Sequence, residues 1–416
     1  MHGGDPLPVG PAYDLWMRHL ALLALLAQDW PQFRGPDGQG HSDVKSLPLA
    51  WSDTSPNIKW RTSIEGLGWS SPVIGGGKIW LTSAAGGTSL RAVCLDAETG
   101  KQLHSVELFK LPSPPGIHKK NSHASPTPIL DGDRVFVHFG PYGTACLSGE
   151  GKVVWKQELK YSPVHGPGGS PALVGELLIL SCDGSDSQQV IALDRKTGAI
   201  RWKTPREPLP IAKKFAFCTP LAIDVAGKTQ VVLPTAGAVT SYDPATGRAI
   251  WTARYGDGYS IVPRPVYGHG LVFVGTGFDR PTLIAVRPDG KGDVTDTHVA
   301  WKLDKGAPLN PSPLLVGDEL YLVSDQGIGT CLDAKTGKVH WQERLGGNYS
   351  ASPLHAAGRI YFLDENGATT VVKPGKAFEK LGRNEIKGRT FASPVPIEGA
   401  LFLRTDTQLL RIEAEK

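Results

Sequence analysis

Apolar and polar residues alternate along this chain in short runs, and the runs recur in a fixed order. Ser or Thr followed by Pro, then a tight turn, then an alternating apolar stretch, occurs as SPVIGGGKIWL (71–81), TPILDGDRVFV (127–137), SPALVGELLIL (170–180) and TPLAIDVAGKTQVVL (219–233). It returns as RPVYGHGLVFV (264–274), SPLLVGDELYLV (312–323), SPLHAAGRIYFL (352–363) and SPVPIEGALFL (393–403). The prolines stand at 72, 128, 171, 220, 265, 313, 353 and 394, an interval of about 46 residues. That is the size of a four-stranded propeller blade, and too long for a leucine-rich or ankyrin repeat.

A second phrase keeps step with the first. It reads LDAETGKQL (95–103), LDRKTGAIRW (193–202), YDPATGRAIW (242–251) and LDAKTGKVHW (332–341), with eroded copies at LSGEGKVVW (147–155) and from VRPDG to HVAW (286–301). The Asp can accept backbone amides ahead of it and the Gly supplies the positive φ of a reversal, so each copy predicts a hairpin. Each unit then parses as four strands: A after the proline, B in the KIWL-type run, C before the turn, and D carrying Trp155, Trp202, Trp251, Trp301 or Trp341. Alternation along B and C suits sheets packed face to face.

These units predict an all-β fold, an eight-bladed β-propeller of four-stranded antiparallel blades over residues 57–416, after a leader (1–28) and an N-terminal extension (29–56). The last unit stops at LFLRTDTQLLRIEAEK (401–416) without a D strand. The missing strand stands at the other end: NIKWRTSI (57–64), with Trp60 in the tryptophan position, is expected to pair beside residues 407–413 and close the ring, removing the free edges.

Composition agrees. Of 416 residues, 50 are Gly and 34 Pro, as many short strands joined by turns require, and a net charge of +4 with no long basic run argues against a nucleic-acid partner. The segment MRHLALLALLAQDW (17–30) has a short basic start, an apolar run from Leu20 to Leu26 and Ala27 as a cleavage residue, and reads as a small secretory signal beginning at Met17. An exported protein, periplasmic or extracellular, is therefore expected. The run is too short for a transmembrane anchor, and no Cys follows it to carry a lipid. Cys94, Cys146 and Cys331 share one repeat position in strand C, while Cys182 and Cys218 lie near strand ends; filling of small apolar slots is the expectation for all five.

The Asp-x-x-Thr-Gly-x-x-x-Trp phrase, its eightfold context and the closing N-terminal strand resemble the pyrroloquinoline quinone (PQQ)-like repeat propellers, a family that includes quinoprotein alcohol dehydrogenases and a non-catalytic outer-membrane assembly propeller. The resemblance covers roughly residues 57–413, and DWPQFRGPDGQG (29–40) also resembles the opening of a secreted branch of that family. It implies fold more than activity, because the same blades serve catalysts and scaffolds. The dehydrogenase branch typically carries a disulfide of adjacent cysteines over the quinone and a calcium or lanthanide ion. No two cysteines adjoin here, so loss of PQQ binding is expected and no cofactor is assigned.

With strands alternating up and down, D-to-A and B-to-C connections emerge on one face, and the monotonous A-to-B and C-to-D turns on the other. The first face is the chemically loaded one and the expected site of binding. His118, Lys119, Lys120, Asn121 and His123 can hold an anion or, through the His pair, a metal, or simply stand in water, and His165 lies in the next such loop. Asp183 and Asp186 can bind calcium or cap a turn. Arg264 with Asp279 and Arg280 can clamp a carboxylate or phosphate or brace the loop. Trp69, Tyr259 and Tyr349, the last beside Asn348, can stack on a ring or pack between blades.

Two functions compete. One is a binding or scaffold module, monomeric, presenting this face to a protein, glycan or small anionic ligand. The other is an oxidoreductase using PQQ with calcium or a lanthanide. A hydrolase finds no support, as G-x-S-x-G and H-E-x-x-H are both missing.

Overall fold

The computed structural model describes residues 29–113 and 116–414; the leader expected over 1–28 lies outside the described residues. Eight antiparallel sheets follow one another along the chain, as the repeat predicts. Blade 1 is Val73–Gly75, Lys78–Ala85, Ser89–Asp96 and Gln102–Lys110 (strands A to D), and blades 2 to 8 begin at Ile129, Ala172, Leu221, Val266, Leu314, Leu354 and Val395. Burial falls from inside to outside. In blade 1, strand B is buried over six consecutive residues on both faces, whereas strand D is mostly half-buried or exposed, because only the inner strands lie wholly between neighbouring sheets. The core is accordingly divided into inter-blade clusters of Val, Leu, Ile and Phe, and all five cysteines are buried within it as free thiols.

The ring closes as expected. Ile58–Ser63 pairs antiparallel with Gln408–Glu413, so the N-terminal strand is strand D of blade 8. Trp60 packs against Phe402 at 5.8 Å between ring centroids, in the position that the repeat tryptophans hold elsewhere.

The Asp-x-x-Thr-Gly phrase does two things at once. Asp333 Oδ1 accepts the amides of Lys335 (3.1 Å) and Thr336 (2.8 Å) and the Thr336 hydroxyl (2.8 Å), while Gly337, at φ +73°, donates to the Asp333 carbonyl. Asp96 and Asp194 repeat this pattern. The second role lies between blades. A Cβ on Gly337 would stand 2.8 Å from the Trp301 ring of the preceding blade, whose indole N–H donates to the Ala334 carbonyl at 3.0 Å. Trp155 docks in the same way on Gly198 and Trp202 on Gly247, while Trp60 lies on Gly100 without an acceptor for its N–H among the described residues. Burial of an aromatic face in each joint is worth on the order of 2 kcal/mol. In blade 1, His104 takes the tryptophan's place and meets Gly151 of blade 2. Trp341 docks on no glycine in this way, packing on Phe378 at 5.1 Å and donating to the Gly375 carbonyl at 3.1 Å, and Trp251 departs further, alongside the eroded fifth copy of the phrase. The lengthened turn of blade 5 lays Gly292–Asp293 alongside strand D of blade 4, which buries Trp251 fully and leaves its N–H to Gln230 Oε1 at 2.9 Å.

The extension has a definite place. Trp30 bridges to Ile74 in blade 1 and the Pro31 carbonyl accepts Leu130 N–H in blade 2, yet the Phe33 and Gly38 carbonyls accept Arg264 Nη1 of blade 5. Gln39 Oε1 then accepts Tyr267 N–H of blade 5, Arg34 donates to the Pro313 carbonyl of blade 6, and Gly40 and Ser42 bond His355 of blade 7. Blades 1 and 5 face each other across an eightfold ring, so residues 29–42 must cross its axis.

Candidate functional site

The residue before each strand-A proline builds the inner wall of the channel. The Ser71 amide donates to Thr127 Oγ1 (3.0 Å), Thr127 to Ser170 Oγ (2.9 Å), and Ser170 to Thr219 Oγ1 (3.0 Å). Arg264 donates to Ser312 Oγ (3.0 Å), Ser312 to Ser352 (3.0 Å), Ser352 to Ser393 (2.9 Å), and Ser393 back to Ser71 (3.1 Å). Each blade thus hands its amide to the next blade's hydroxyl. The circle is interrupted only at blade 5, where Arg264 stands in place of Ser or Thr. The Ser-Pro and Thr-Pro steps carried this information, but as a strand-entry signal they concealed that the hydroxyls would meet.

Above the hydroxyls lies a funnel of about 260 Å³, open on the face of the D-to-A loops, with Phe33 of the crossing segment at its floor. Trp69 and Phe391 form one wall, with centroids 4.6 Å apart and the Arg389 guanidinium over both rings. Phe217, Tyr259 and Phe278 stand on another. The loop carrying His118 to Ser125 reaches over this mouth. Asn121 Nδ2 ties it to the carbonyls of His165 (2.8 Å) and Pro167 (3.0 Å), and Lys120 Nζ pairs with Glu365 of blade 7 at 2.8 Å. Glu365 also accepts the Ser350 hydroxyl at 2.6 Å.

Some sequence expectations come together here and others do not. Trp69, His118, Asn121, His165 and Tyr259 line the funnel. The imidazoles that meet are His118 and His165, 5.2 Å apart, rather than His118 and His123: His123 is buried against Tyr142. Burial, reinforced by His118, pushes the His165 pKa down, which keeps that ring neutral at ordinary pH. Lys119, Arg280 and Asn348 are exposed, and Asn348 offers its carbonyl to the Glu365 amide.

Four expectations are corrected. Asp183 is not at the mouth. It is fully buried between blades 3 and 4, gripped by Arg206 Nε (3.0 Å) and Nη2 (2.7 Å), with Ser181 Oγ at 2.7 Å. Asp186 points elsewhere, accepting the Ser162 amide (2.7 Å) and hydroxyl (3.0 Å), so the two acids form no calcium site. Arg264 is buried at the channel base and makes no clamp with Asp279, whose partners are Lys213 and Tyr259. Tyr349 is fully buried between blades 6 and 7, where burial pushes its hydroxyl up to about 12, and it offers no stacking face.

The residues present were also matched against a quinone and its metal. Among the described residues the funnel lining supplies hydroxyls, amides, imidazoles, aromatic rings and one ammonium, and no carboxylate. Calcium and lanthanide ions are held largely by carboxylate oxygens, and among the described residues no group of three or more His, Cys, Asp or Glu is placed to hold a metal. This donor set does not fit a metal that polarises a quinone.

The profile of the family described as outer membrane protein assembly factor BamB matches residues 47–163, 95–328 and 290–376. Among curated proteins, the chain is 22% identical to the beta-alanine-activating enzyme of Drosophila melanogaster over 55% of this chain and 23% of that one. It is 25% identical to the outer membrane protein assembly factor BamB of Shewanella oneidensis over 51% and 52%. The chain therefore spans about a quarter and about half of those relatives' lengths. Among solved structures, the quinohemoprotein alcohol dehydrogenase from Comamonas testosteroni superposes with a TM-score of 0.67 at 12% identity, covering 96% of this chain and 82% of that one, a likeness of fold alone.

Proposed function

This chain belongs to the PQQ-like propeller family whose profile is described as outer membrane protein assembly factor BamB, and from that premise we propose that it is an exported, monomeric binding module without catalytic activity of its own. The observation that carries this reading is the funnel: one face is loop-rich and concave, and the crossing segment lies beneath it. Its wall holds hydroxyl, amide and aromatic groups suited to recognition, and among the described residues neither of its imidazoles is hydrogen-bonded to a hydroxyl of the lining. A quinone cofactor is not part of this proposal, because the lining does not supply the acidic ligands its metal would need. What the funnel takes is a protein segment, a glycan or a small anion.

A photo-reactive amino acid placed at Ser350, on the mouth, and separately at Thr99, on the opposite face, tests the reading. Cross-linking from position 350 alone is the expected result. Equal capture from both faces, or capture from 99 alone, would contradict it.

A further inference from the structure

Resting on the reading of the funnel as the binding site, we infer that its base is a receptor for an oxyanion, a sulfate, phosphate or carboxylate group held on the axis by the ring of hydroxyls.

The first support is a count of unspent donors. Each of the seven ring hydroxyls accepts a backbone N–H from the preceding blade, which leaves its own proton free to be donated elsewhere. Ser352 gives its proton to Ser312 Oγ at 3.0 Å. Those of Ser71, Thr127, Ser170, Thr219, Ser312 and Ser393 meet no protein acceptor among the described residues. Seven hydroxyls around the channel, interrupted only at Arg264, with one lone pair of each engaged by an amide and six O–H groups unspent, suit an acceptor with several oxygens.

The second support is charge. Arg264 fills the eighth place in the circle, and Arg34 lies under it in the crossing segment. Arg404 donates to the carbonyl and hydroxyl of Ser70, next to Ser71, at 2.8 and 2.6 Å. All three are buried, at 3%, 2% and 2% exposure, and among the described residues none is in an ion pair. They spend their N–H groups on carbonyls and hydroxyls. Arg34 Nε and Nη1 find no acceptor at all. Burial pushes all three pKa values down, the sign of a charge held without compensation, although a guanidinium keeps its proton at any ordinary pH. Asp37, which acts on Arg34 and Arg264, is itself exposed. Lys120 at the mouth is already paired with Glu365, so the positive potential felt at the hydroxyls comes from these three guanidiniums, which lie behind the lining rather than in it. An anion at the circle would offset charges that the fold has buried without partners.

Equilibrium dialysis with labelled sulfate measures this directly. Saturable binding of one sulfate per chain is expected, displaced by phosphate. Arg264→Ser supplies the missing eighth hydroxyl while removing the charge, and is expected to weaken sulfate at least tenfold. Since Arg264 also fastens the crossing segment, crystals of the unaltered protein soaked in selenate give a second readout: an anomalous peak on the axis within reach of Ser71, Thr127 and Thr219. Glucuronate and acetate as competitors separate the sources. Glucuronate binding tenfold tighter than acetate would identify the acid group of a larger ligand, and equal affinities would identify a free anion. No saturable binding, or selenate only beside Lys120 and His118, would overturn the inference. If sulfate fails while cross-linking from position 350 succeeds, the oxyanion site falls and the binding function stands; if both fail, both fall.

Discussion

Trp155 of blade 2 lies against Gly198 of blade 3 so closely that a Cβ there would come within 2.5 Å of the indole, and the indole N–H donates to the Arg195 carbonyl at 3.0 Å. One residue thus serves a hairpin and an interface. Gly198→Ala combines a left-handed φ of +74° with a collision, and is expected to destabilise the fold by about 2 to 4 kcal/mol. Gly175→Ala, at a positive φ with open space around it, should cost only the conformational part, about 1 to 2 kcal/mol. Denaturant melts of the two variants check the difference.

Ring closure rests on one strand that pairs on one side only. Along Ile58–Ser63, alternate amides face Gln408–Glu413 or solvent. Proline at Arg61 and proline at Thr62 should therefore differ: the one that removes an inward amide is expected to lower the melting temperature by several degrees and expose blade 8 to protease, and the other to be mild. Equal effects would contradict the pairing.

The Asp183–Arg206 pair is structural. Arg206→Met leaves a carboxylate buried among blades 3 and 4 and is expected to cost about 3 to 5 kcal/mol, whereas Asp183→Leu with Arg206→Met should cost much less. Calcium should leave the melting temperature of the unaltered protein where it is. A calcium-dependent rise lost on Asp183→Asn would make that residue a calcium ligand after all.

Acid should loosen the fold through the buried His138 and the half-buried His355. Burial holds His138 down to about 3, and burial with His41 alongside holds His355 down to about 4, both from an ordinary value of 6.5. The unfolded chain therefore takes up these protons first. The contribution of each is complete above about pH 6.5, falls as pH drops to about 4 for His355 and to about 3 for His138, and levels off below those values. Each histidine contributes a slope of about 1.4 kcal/mol per pH unit within its window. His355→Asn should remove one such slope from a series of melts between pH 7 and pH 4.

The fold was legible because repetition multiplies weak signals. No single Asp-x-x-x-Gly turn identifies a propeller, but its copies in step with eight prolines do, down to the pairing of residues 58–63 with the C-terminal strand. The site was less legible for a physical reason. Which of several polar residues faces the channel depends on strand ends and loop paths that no local pattern encodes. Asp183 and Asp186 are three apart in sequence, yet one is locked to Arg206 and the other caps Ser162. The hydroxyl circle was written in plain sight as Ser-Pro and Thr-Pro, but only the closed ring brings Ser393 to Ser71. The role of DWPQFRGPDGQG was likewise hidden until Arg264 was seen to grip it from across the channel.

The most direct test of a binding role without quinone chemistry is reconstitution. The purified protein is mixed with PQQ and calcium, and separately with PQQ and a lanthanide, and followed by visible absorbance and by reduction of an artificial electron-accepting dye with alcohols and sugars. The account predicts no retained quinone absorbance after desalting and no dye reduction above the protein-free rate. Retained quinone together with metal-dependent dye reduction would contradict it and make this propeller an oxidoreductase.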